Sequence, residues 1–370
     1  MAKVFGLCNL HDAPGLGKLT EKRPIGVVSF LGRYGLMDFT LSNFSNSGID
    51  RVGILADRSM HSVISHVRDG SIWINNTKTG SQRIFFNENT PSKKFNTDIN
   101  NLLANRLHFE DEDVDYVVVA PAFFLMSIDF RKYIEKHIES GREISIIYKK
   151  VKNAKEAFLN CDSIKVENHL VKDFSVNIGR AKEANISLET FIFNFKTFVE
   201  LLNHTREISS LFNIRDLVNY CATNKLYEVN AFSFDGYVAP ILTFDDYCHY
   251  SMELLSYETR KNLFIDNWPI YTTTHNTPPA LYGPKAEVKN SFVANGSNIQ
   301  GTVINSVISR DVVIEEGAVV KNCILFSGTK VGKDSRLEYV VADKNVKIKE
   351  IKEVSGEESC YTYISFGANI

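Results

Sequence analysis

The fold is decided by residues 291–348, which read SFVANGSNIQGTVINSVISRDVVIEEGAVVKNCILFSGTKVGKDSRLEYVVADKNVKI. Short β-branched runs are broken by Gly and Asn, and apolar residues recur about every six positions, as at Ile308, Ile314, Val320 and Val331. A hexapeptide period of this kind is typical of a β-helix, in which each coil stacks on the previous one. Ordinary antiparallel hairpins are the alternative, but no hairpin pairs stand out. The segment therefore predicts a β-helix.

The chain before the β-helix has a different character. Residues 267–284 hold four prolines and four threonines, which indicates a linker. Further upstream, strand-like and helix-like segments alternate, and this alternation predicts a parallel sheet with crossover helices. The predicted strands cover residues 4–10, 51–56, 116–120 and 143–148, and the predicted helices cover residues 38–47 and 130–140. We thus expect an α/β domain over residues 1–265, a linker over 266–285 and a β-helix domain over 286–370.

Composition and charge exclude several classes of protein. Hydrophobic residues make up 44% of the 370 residues, as in ordinary globular proteins. The 42 basic and 44 acidic residues nearly cancel, so neither nucleic acid nor a membrane surface is expected as a partner. No long apolar run or signal peptide is evident, and the six scattered cysteines form no metal-binding or disulfide pattern. These features predict a cytoplasmic protein with reduced thiols.

The most informative motif lies at residues 19–55, which read LTEKRPIGVVSFLGRYGLMDFTLSNFSNSGIDRVGIL. This stretch resembles a motif of the ADP-glucose pyrophosphorylase (glucose-1-phosphate adenylyltransferase) family, and the order and spacing match without a gap. The matching groups are Asp-Phe at residues 38–39, Leu-Ser-Asn at 41–43 and Asn-Ser-Gly-Ile at 46–49. The resemblance extends over the whole chain. It implies an N-terminal Rossmann-like nucleotidyltransferase domain followed by a C-terminal left-handed parallel β-helix.

The resemblance also implies a role. Members of this family join ATP and glucose 1-phosphate into ADP-glucose and diphosphate for glycogen biosynthesis. Within the family, the chain looks most similar to the non-catalytic, GlgD-type regulatory subunit. That similarity implies a catalytic ADP-glucose pyrophosphorylase subunit as partner, in a hetero-tetramer, with a homo-oligomer as the alternative assembly. Mg²⁺ is then expected in the catalytic partner, and neither a metal nor another cofactor in this chain.

The phosphate-binding loop of the family is altered here. Its pattern Gly-Gly-x-Gly-x-Arg-Leu falls on residues 10–16, where every family glycine is replaced and the Arg position holds Gly15. Pro14 lacks an N–H donor, and Asp12 carries a charge that repels phosphate. The remnant Gly-Leu-Gly-Lys at residues 15–18 lacks the spacing of a P-loop. We expect this loop to bind nucleotide phosphates poorly.

Other catalytic positions are also altered. The family Lys after Arg-Ala falls on Ile25, and the two Mg²⁺-binding Asp positions hold Ala122 and Pro240. Neither of these two side chains offers the oxygen that magnesium requires. Residues 172–178 lack the sugar-binding Glu-Lys pair, and residues 96–100 lack the glycine of Gly-Thr-Ala-Asp-Ala. The nearby acids Asp129 and Asp235 are expected on the surface or at a helix cap.

Lys22 and Arg23 are the cations that persist in the motif, and two interpretations stay open for them. They are either solvated charges at a loop end or part of a phosphate site for an effector. Three other functions also compete with a regulatory subunit. An active nucleotidyltransferase with unusual ligands and a stand-alone sugar-phosphate or nucleotide sensor both stay open. A hexapeptide acyltransferase is disfavoured because the last histidine, His275, precedes every coil.

Overall fold

The computed structural model describes residues 2–76, 78–88, 93–110, 112–349 and 351–370. Within these residues, an α/β domain is followed by a left-handed parallel β-helix, which confirms the expected fold class. The strands of the first domain are β1 (Val4–Asn9), β2 (Ser29–Phe30), β3 (Tyr34–Gly35), β4 (Arg51–Ala56), β5 (Ser81–Phe86), β6 (Tyr116–Pro121), β7 (Phe124–Leu125), β8 (Ile144–Val151), β9 (Asp162–Glu167), β10 (Leu170–Val176), β11 (Ala184–Asn194), β12 (Val229–Ser233) and β13 (Ala239–Pro240).

The helices of this domain follow the predicted pattern where a clear end signal exists. The prediction for residues 130–140 is confirmed, because this helix ends at Gly141 with a positive φ of 63°. The helices are α1 (Met37–Asn46), α2 (Met60–Val67), α3 (Asp98–Ala104), α4 (Arg106–Glu110), α5 (Phe130–Ser140), α6 (Phe195–Ile208), α7 (Ile214–Thr223), α8 (Phe244–Glu253) and α9 (Tyr257–Leu263). Four 3₁₀ turns cover Gly17–Thr20, Ile25–Val27, Ser71–Trp73 and Lys93–Phe95.

The main sheet is mixed, although the four strands predicted from the sequence, β1, β4, β6 and β8, all run in the same direction. Its order is β5-β4-β1-β6-β11-β8-β12-β10-β9. Strands β5, β4, β1 and β6 run parallel, but β11 lies antiparallel between β6 and β8. The chain between β8 and β11 contains β9 and β10 but no helix. Because a parallel return needs a long crossover, β11 enters the sheet antiparallel.

Both faces of the central strands are buried, which accounts for their near-continuous apolar sequences. In β1, Phe5 and Leu7 pack on the face covered by α3 and α6, through Ile99 and Phe198. Cys8 belongs to the core on the other face, which includes residues of α1. The carboxyl ends of β1 and β6 consequently meet at one edge of the sheet.

The second domain consists of three parallel sheets of five strands each. Ile308, Ile314, Val320 and Val331 are all fully buried inside the coils, so the predicted period is confirmed. The first sheet contains β14 (Leu281–Tyr282), β17 (Asn298–Ile299), β20 (Val313–Ile314), β23 (Lys330–Val331) and β26 (Lys347–Ile348). The second contains β15 (Glu287–Lys289), β18 (Thr302–Ile304), β21 (Val319–Lys321), β24 (Arg336–Glu338) and β27 (Glu353–Ser355), and the third contains β16 (Phe292–Val293), β19 (Val307–Ile308), β22 (Ile324–Leu325), β25 (Val340–Ala342) and β28 (Thr362–Ile364).

The segment predicted as a linker is firmly attached at both ends. Strand β14 lies inside the predicted linker and already pairs with β17, so the β-helix begins at Leu281. Upstream, Trp268 Nε1 donates to Asn43 Oδ1 at 2.9 Å, and Tyr271 N donates to Ser42 Oγ at 2.8 Å. The Leu-Ser-Asn motif of α1 therefore holds the chain that connects the two domains.

The two domains share a continuous apolar core. Tyr247 of α8 packs against Phe326 of the β-helix, with ring centroids 6.3 Å apart, and its hydroxyl donates to Ser29 O. Arg23 forms an ion pair with Asp343 at 2.6 Å, where the side chains are only 11% and 1% exposed. The position of the β-helix against the first domain is thus fixed by buried contacts.

Candidate functional site

The loop after β1 is filled by its own side chains. Leu10 and His11 are buried at the positions of the first two family glycines. His11 Nδ1 lies 3.1 Å from Asn96 O, and its Nε2 lies 2.9 Å from Asn101 Nδ2. Burial lowers the pKa of His11, so we assign a neutral ring with its proton on Nδ1. The family glycine at the second position is thus replaced by a buried side chain that is held at both ring nitrogens.

Three backbone donors of the same loop are engaged within the protein. The N–H of Leu10 donates to Leu55 O, that of His11 to Asn9 Oδ1, and that of Leu16 to Thr20 Oγ1. Pro14 contributes no N–H. Gly15 is exposed and has no side chain that could replace the family Arg. Four of the seven loop residues, Leu10, His11, Pro14 and Leu16, thus offer no free backbone N–H to an anion cradle.

The Gly-Leu-Gly-Lys remnant leads into a 3₁₀ turn, Gly17–Thr20, rather than an α-helix. A P-loop places phosphate at the N-terminus of a full helix, where the aligned peptide dipoles favour an anion. Four residues of 3₁₀ structure do not supply this. Ile25 begins the next 3₁₀ turn and is buried, so its position faces the core.

One of the two positions that hold metal-binding carboxylates in the family, Pro240, lies on β13, and the other, Ala122, lies in the bend between β6 and β7. Pro240 pairs with Phe124 across β13 and β7, and Ile241 N donates to Phe123 O at 2.8 Å. Ala122 directly precedes this pair in the chain and is fully buried, as is Pro240. Both side chains are apolar and do not fit Mg²⁺.

Nearby acids do not replace these carboxylates. Asp129 caps α5 by accepting from Arg131 N, and Asp235 is exposed, as expected for both. Within the described residues, no three His, Cys, Asp or Glu side chains are grouped so that they could hold a metal ion.

A basic depression of about 710 Å³ lies between the two domains. Five cationic side chains line it, against the single lining carboxylate of Asp311; the cations are Lys22, Arg23, Arg33, Arg310 and Lys344. His61, His66 and His275 also face it. The structure thus places the two residues singled out from the sequence in one depression with Arg33 of the same motif, and it adds Arg310 and Lys344 from the β-helix.

The charges in this depression are incompletely compensated. Burial, and then repulsion by Arg33, lowers the pKa of Arg310. Burial, and then repulsion by Arg23, lowers the pKa of Lys344. Arg23 Nη1 and Arg310 Nε are buried without a hydrogen-bond partner. A buried cationic donor without a hydrogen-bond partner favours the entry of an anion.

Lys22 and Arg23 differ in their surroundings. Lys22 is exposed at the rim of the depression, whereas Arg23 is buried and already paired with Asp343. The Asp38 carboxylate of the sequence motif is fully buried, 2.6 Å from His66 Nε2, and accepts from Gly35 N at 2.8 Å. Asp38 thereby fixes one wall of the depression, and Lys22 lies at its mouth.

Comparison with known proteins agrees with this architecture. Residues 16–159 match the nucleotidyl transferase family model, and residues 280–360 match the GlmU-like C-terminal hexapeptide model. The fold is thus that of a nucleotidyl transferase domain joined to a hexapeptide β-helix.

Full-length relatives narrow the assignment. The chain is 30% identical over 357 residues to a glucose-1-phosphate adenylyltransferase of Fervidobacterium nodosum. The aligned residues cover 95% of this chain and 85% of the relative. The chain is 27% identical over 340 residues to the protein of the same name from Bacillus cereus, which covers 90% of each. The chain belongs to the glucose-1-phosphate adenylyltransferase family. None of the helices in the described residues combines the length and apolar character that crossing a bilayer requires.

Proposed function

We propose that this chain is a regulatory subunit that does not catalyse the family reaction and instead modulates a catalytic glucose-1-phosphate adenylyltransferase subunit in glycogen biosynthesis. The observation that carries the proposal is a contrast between two sites. The positions for phosphate and metal hold Gly15, Ala122 and Pro240, whereas the basic depression between the domains is richly supplied with cations.

The family reaction brings two anions together. The α-phosphate of ATP must meet the phosphate of glucose 1-phosphate, which requires aligned donors, cations and Mg²⁺ held by carboxylates. In this chain the loop at residues 10–16 is filled by side chains, and the metal positions are apolar. Losing one such group typically lowers the rate by on the order of 10²- to 10³-fold. Their combined loss accounts for a chain that does not turn over substrate.

The basic depression is the proposed effector site, with a phosphorylated metabolite as ligand. Lys22 and Arg33 come from the first domain, and Arg310 and Lys344 come from the β-helix. An anion bound there contacts both domains and favours the arrangement in which the cations converge. Such a ligand changes the partner subunit only if it prefers one state of the assembly. We propose a hetero-tetramer as that assembly.

A stand-alone sensor is the second candidate, because the same depression would serve a chain that acts without a partner. An active nucleotidyltransferase is not favoured by any of the groups around Ala122 or Pro240. The two remaining candidates differ in whether the chain associates with the catalytic subunit.

The test mixes the purified chain with the catalytic subunit encoded in the same genome. Size-exclusion chromatography and steady-state kinetics, at equal catalytic-subunit concentration, are measured with and without the chain. We expect one mixed species and a roughly 5- to 150-fold change in substrate affinity or effector response. Separate elution with unchanged kinetics would contradict the regulatory role and leave the sensor.

A matched pair of variants locates the effector site. Lys22→Gln with Arg310→Gln should co-elute with the partner but lose the effector response. Lys196→Gln is the control, since this side chain on α6 is 89% exposed and lies outside the depression. If both variants keep the effector response, the ligand binds elsewhere.

A further inference from the structure

The second sheet of the β-helix has an outer face to which each of its five strands contributes two side chains. The middle residue of each central strand points into the coils, and Val303, Val320 and Leu337 are at most 1% exposed. The first and third residues of each strand therefore point outward. In chain order these outward pairs, which form the outer face, are Glu287 and Lys289, Thr302 and Ile304, Val319 and Lys321, Arg336 and Glu338, and Glu353 and Ser355. Because the register is parallel, the first residues form one column and the third residues form another.

The outer face lies away from the contact between the two domains. That contact is made by the third sheet, whose Val307 and Ile324 belong to the apolar core of the first domain. On the outer face, in contrast, Ile304 and Val319 pack into none of the apolar cores that the described residues form. The chain thus leaves open a face that combines apolar side chains at its centre with charged side chains on both sides.

We propose that the outer face binds the same face of a second copy of this chain, with the strands of the two copies antiparallel. The two-fold axis of this pair runs along the stack of coils, so each strand faces its own equivalent. The first outward residue of a strand then faces the third outward residue of the second copy's strand. Arg336 faces the second copy's Glu338, and Glu287 faces the second copy's Lys289. Within the described part of their own chain, neither Arg336 nor Glu338 has an ion-pair partner.

The remaining strands fit the same arrangement. At the centre, Thr302 faces Ile304 of the second copy, and the aliphatic stem of Lys321 covers Val319 while its ammonium group reaches water. At β27 a carboxylate faces an uncharged hydroxyl group. None of the five strands brings two like charges together, so the face is complementary to itself over its whole length.

A pair with parallel strands is less favourable because of the first domain. The third sheet follows the second sheet at the carboxyl ends of its strands, and the first domain packs on the third sheet. Parallel strands would put both first domains on the same side of the paired faces. Antiparallel strands put them on opposite sides, where each remains free to contact a catalytic subunit. Two copies paired in this way would supply half of a hetero-tetramer.

The size of the face sets the expected affinity. Five strands with three residues each span roughly 24 Å by 10 Å. This area is well below the ~800 Å² per partner of a standard interface, so we expect a weak dimer with a Kd on the order of 10 µM. Because opposite charges contribute to the contact, the dimer should weaken as the salt concentration rises.

The test measures self-association of the full chain without any other protein. Sedimentation velocity is recorded from about 1 to 200 µM, a range that brackets the expected Kd. Arg336→Glu and Glu338→Arg each replace opposite charges by like charges, and each should raise the Kd at least about tenfold. Lys330→Glu is the matched control, since this exposed lysine lies on the first sheet of the same β-helix, and it should dimerise as the parent does. All three altered side chains are exposed, so the variants should unfold at the temperature of the parent.

A mixture of the two impaired variants gives the decisive result. When Arg336→Glu and Glu338→Arg chains are combined, the new acid of one chain faces the new base of the other, and the native pair stays intact. We therefore expect a mixed dimer with about the affinity of the parent, detected by a fluorescent label on one of the variants. A contact within one chain cannot produce this recovery, because each chain alone keeps its like charges.

Three results would each overturn the proposal. They are a parent chain that stays monomeric at the highest concentration, single variants that dimerise as the parent does, and a mixture that does not associate. If the parent alone is monomeric but Arg336→Glu abolishes co-elution with the catalytic subunit, the outer face binds that subunit and self-association is refuted. Because the dimer is measured without the catalytic subunit, its outcome is independent of whether the chain has a regulatory role.

Discussion

Arg23 and Lys22 are neighbours in sequence, but replacing each by Met should affect different properties. Arg23→Met should lower the stability of the fold, whereas Lys22→Met should weaken phosphate binding. Arg23→Met leaves the Asp343 carboxylate, 1% exposed, without its counter-ion between the two domains. Removing one partner of a buried ion pair typically costs about 3–5 kcal/mol. Tyr363 Oη at 2.6 Å and Lys344 N at 2.7 Å still donate to Asp343, which reduces the penalty. We therefore expect a loss of about 2–3 kcal/mol in the free energy of unfolding.

Urea unfolding measures this loss, with Lys22→Met as the matched control. Because Lys22 is exposed and makes no ion pair within the described residues, its replacement should change the free energy of unfolding by less than about 0.5 kcal/mol. It should instead weaken phosphate binding in the interdomain depression. A double variant, Arg23→Met with Asp343→Asn, should be less destabilised than the sum of the single variants by about 1 kcal/mol or more. Equal stability of the Arg23 and Lys22 variants, or simple additivity, would refute this division of roles.

Three further outcomes follow from the same contacts. Ala122→Asp combined with Pro240→Asp should restore no ADP-glucose formation in a Mg²⁺-containing assay, because the loop after β1 stays filled; recovery would show that the loop matters less than argued. Burial raises the pKa of Glu189 from 4.5 to about 8. Between pH 4.5 and about pH 8, the folded chain therefore keeps a proton that the unfolded chain releases, so the free energy of unfolding falls as the pH rises through this range. Glu189→Gln should flatten this fall when urea midpoints at the two ends of the window are compared, and an unchanged slope would count against it. Asn43→Ala removes the acceptor for Trp268 Nε1 and the donor to a buried carbonyl. It should lower the free energy of unfolding, monitored by fluorescence, by about 2–4 kcal/mol. A decrease of less than about 1 kcal/mol would contradict the anchoring of the linker.

The β-helix and the individual strands could be predicted because their signals are local. An apolar residue about every six positions has few structural solutions, and Ile308, Ile314 and Val320 all point into the coils. The helix at Phe130–Ser140 was equally readable, since Gly141 marks its end. The antiparallel entry of β11 was missed because strand direction depends on the connections between elements and not on the residues of the strand.

The basic depression was only partly predictable. Lys22 and Arg23 stood out within a motif, but Arg310 and Lys344 look like ordinary solvated charges in the turns of a β-helix. They converge because Tyr247 and other buried contacts fix the β-helix against the first domain. Such long-range convergence leaves no mark on local sequence.

The ion pairs of Arg215 with Asp12, Asp162 and Glu189 gave no local signal either. They depend on the left-handed conformation of Glu189, which residue type does not suggest, and on an anchored helix terminus at Asp98. The altered catalytic positions were the opposite case. Gly15, Ala122 and Pro240 could be identified by counting from the family pattern that the motif resembles, and the structure places them in the loop after β1, in the bend before β7 and on β13.

The central claim is that the chain keeps the fold of its family without the chemistry. The most direct measurement is ADP-glucose formation by the purified chain alone, with ATP, glucose 1-phosphate and Mg²⁺. We expect no product above the background of a mock purification, because the loop at residues 10–16 lacks its cradle and the metal positions Ala122 and Pro240 lack oxygen. Metal-dependent turnover that co-purifies with the chain through a second, different column would contradict the claim.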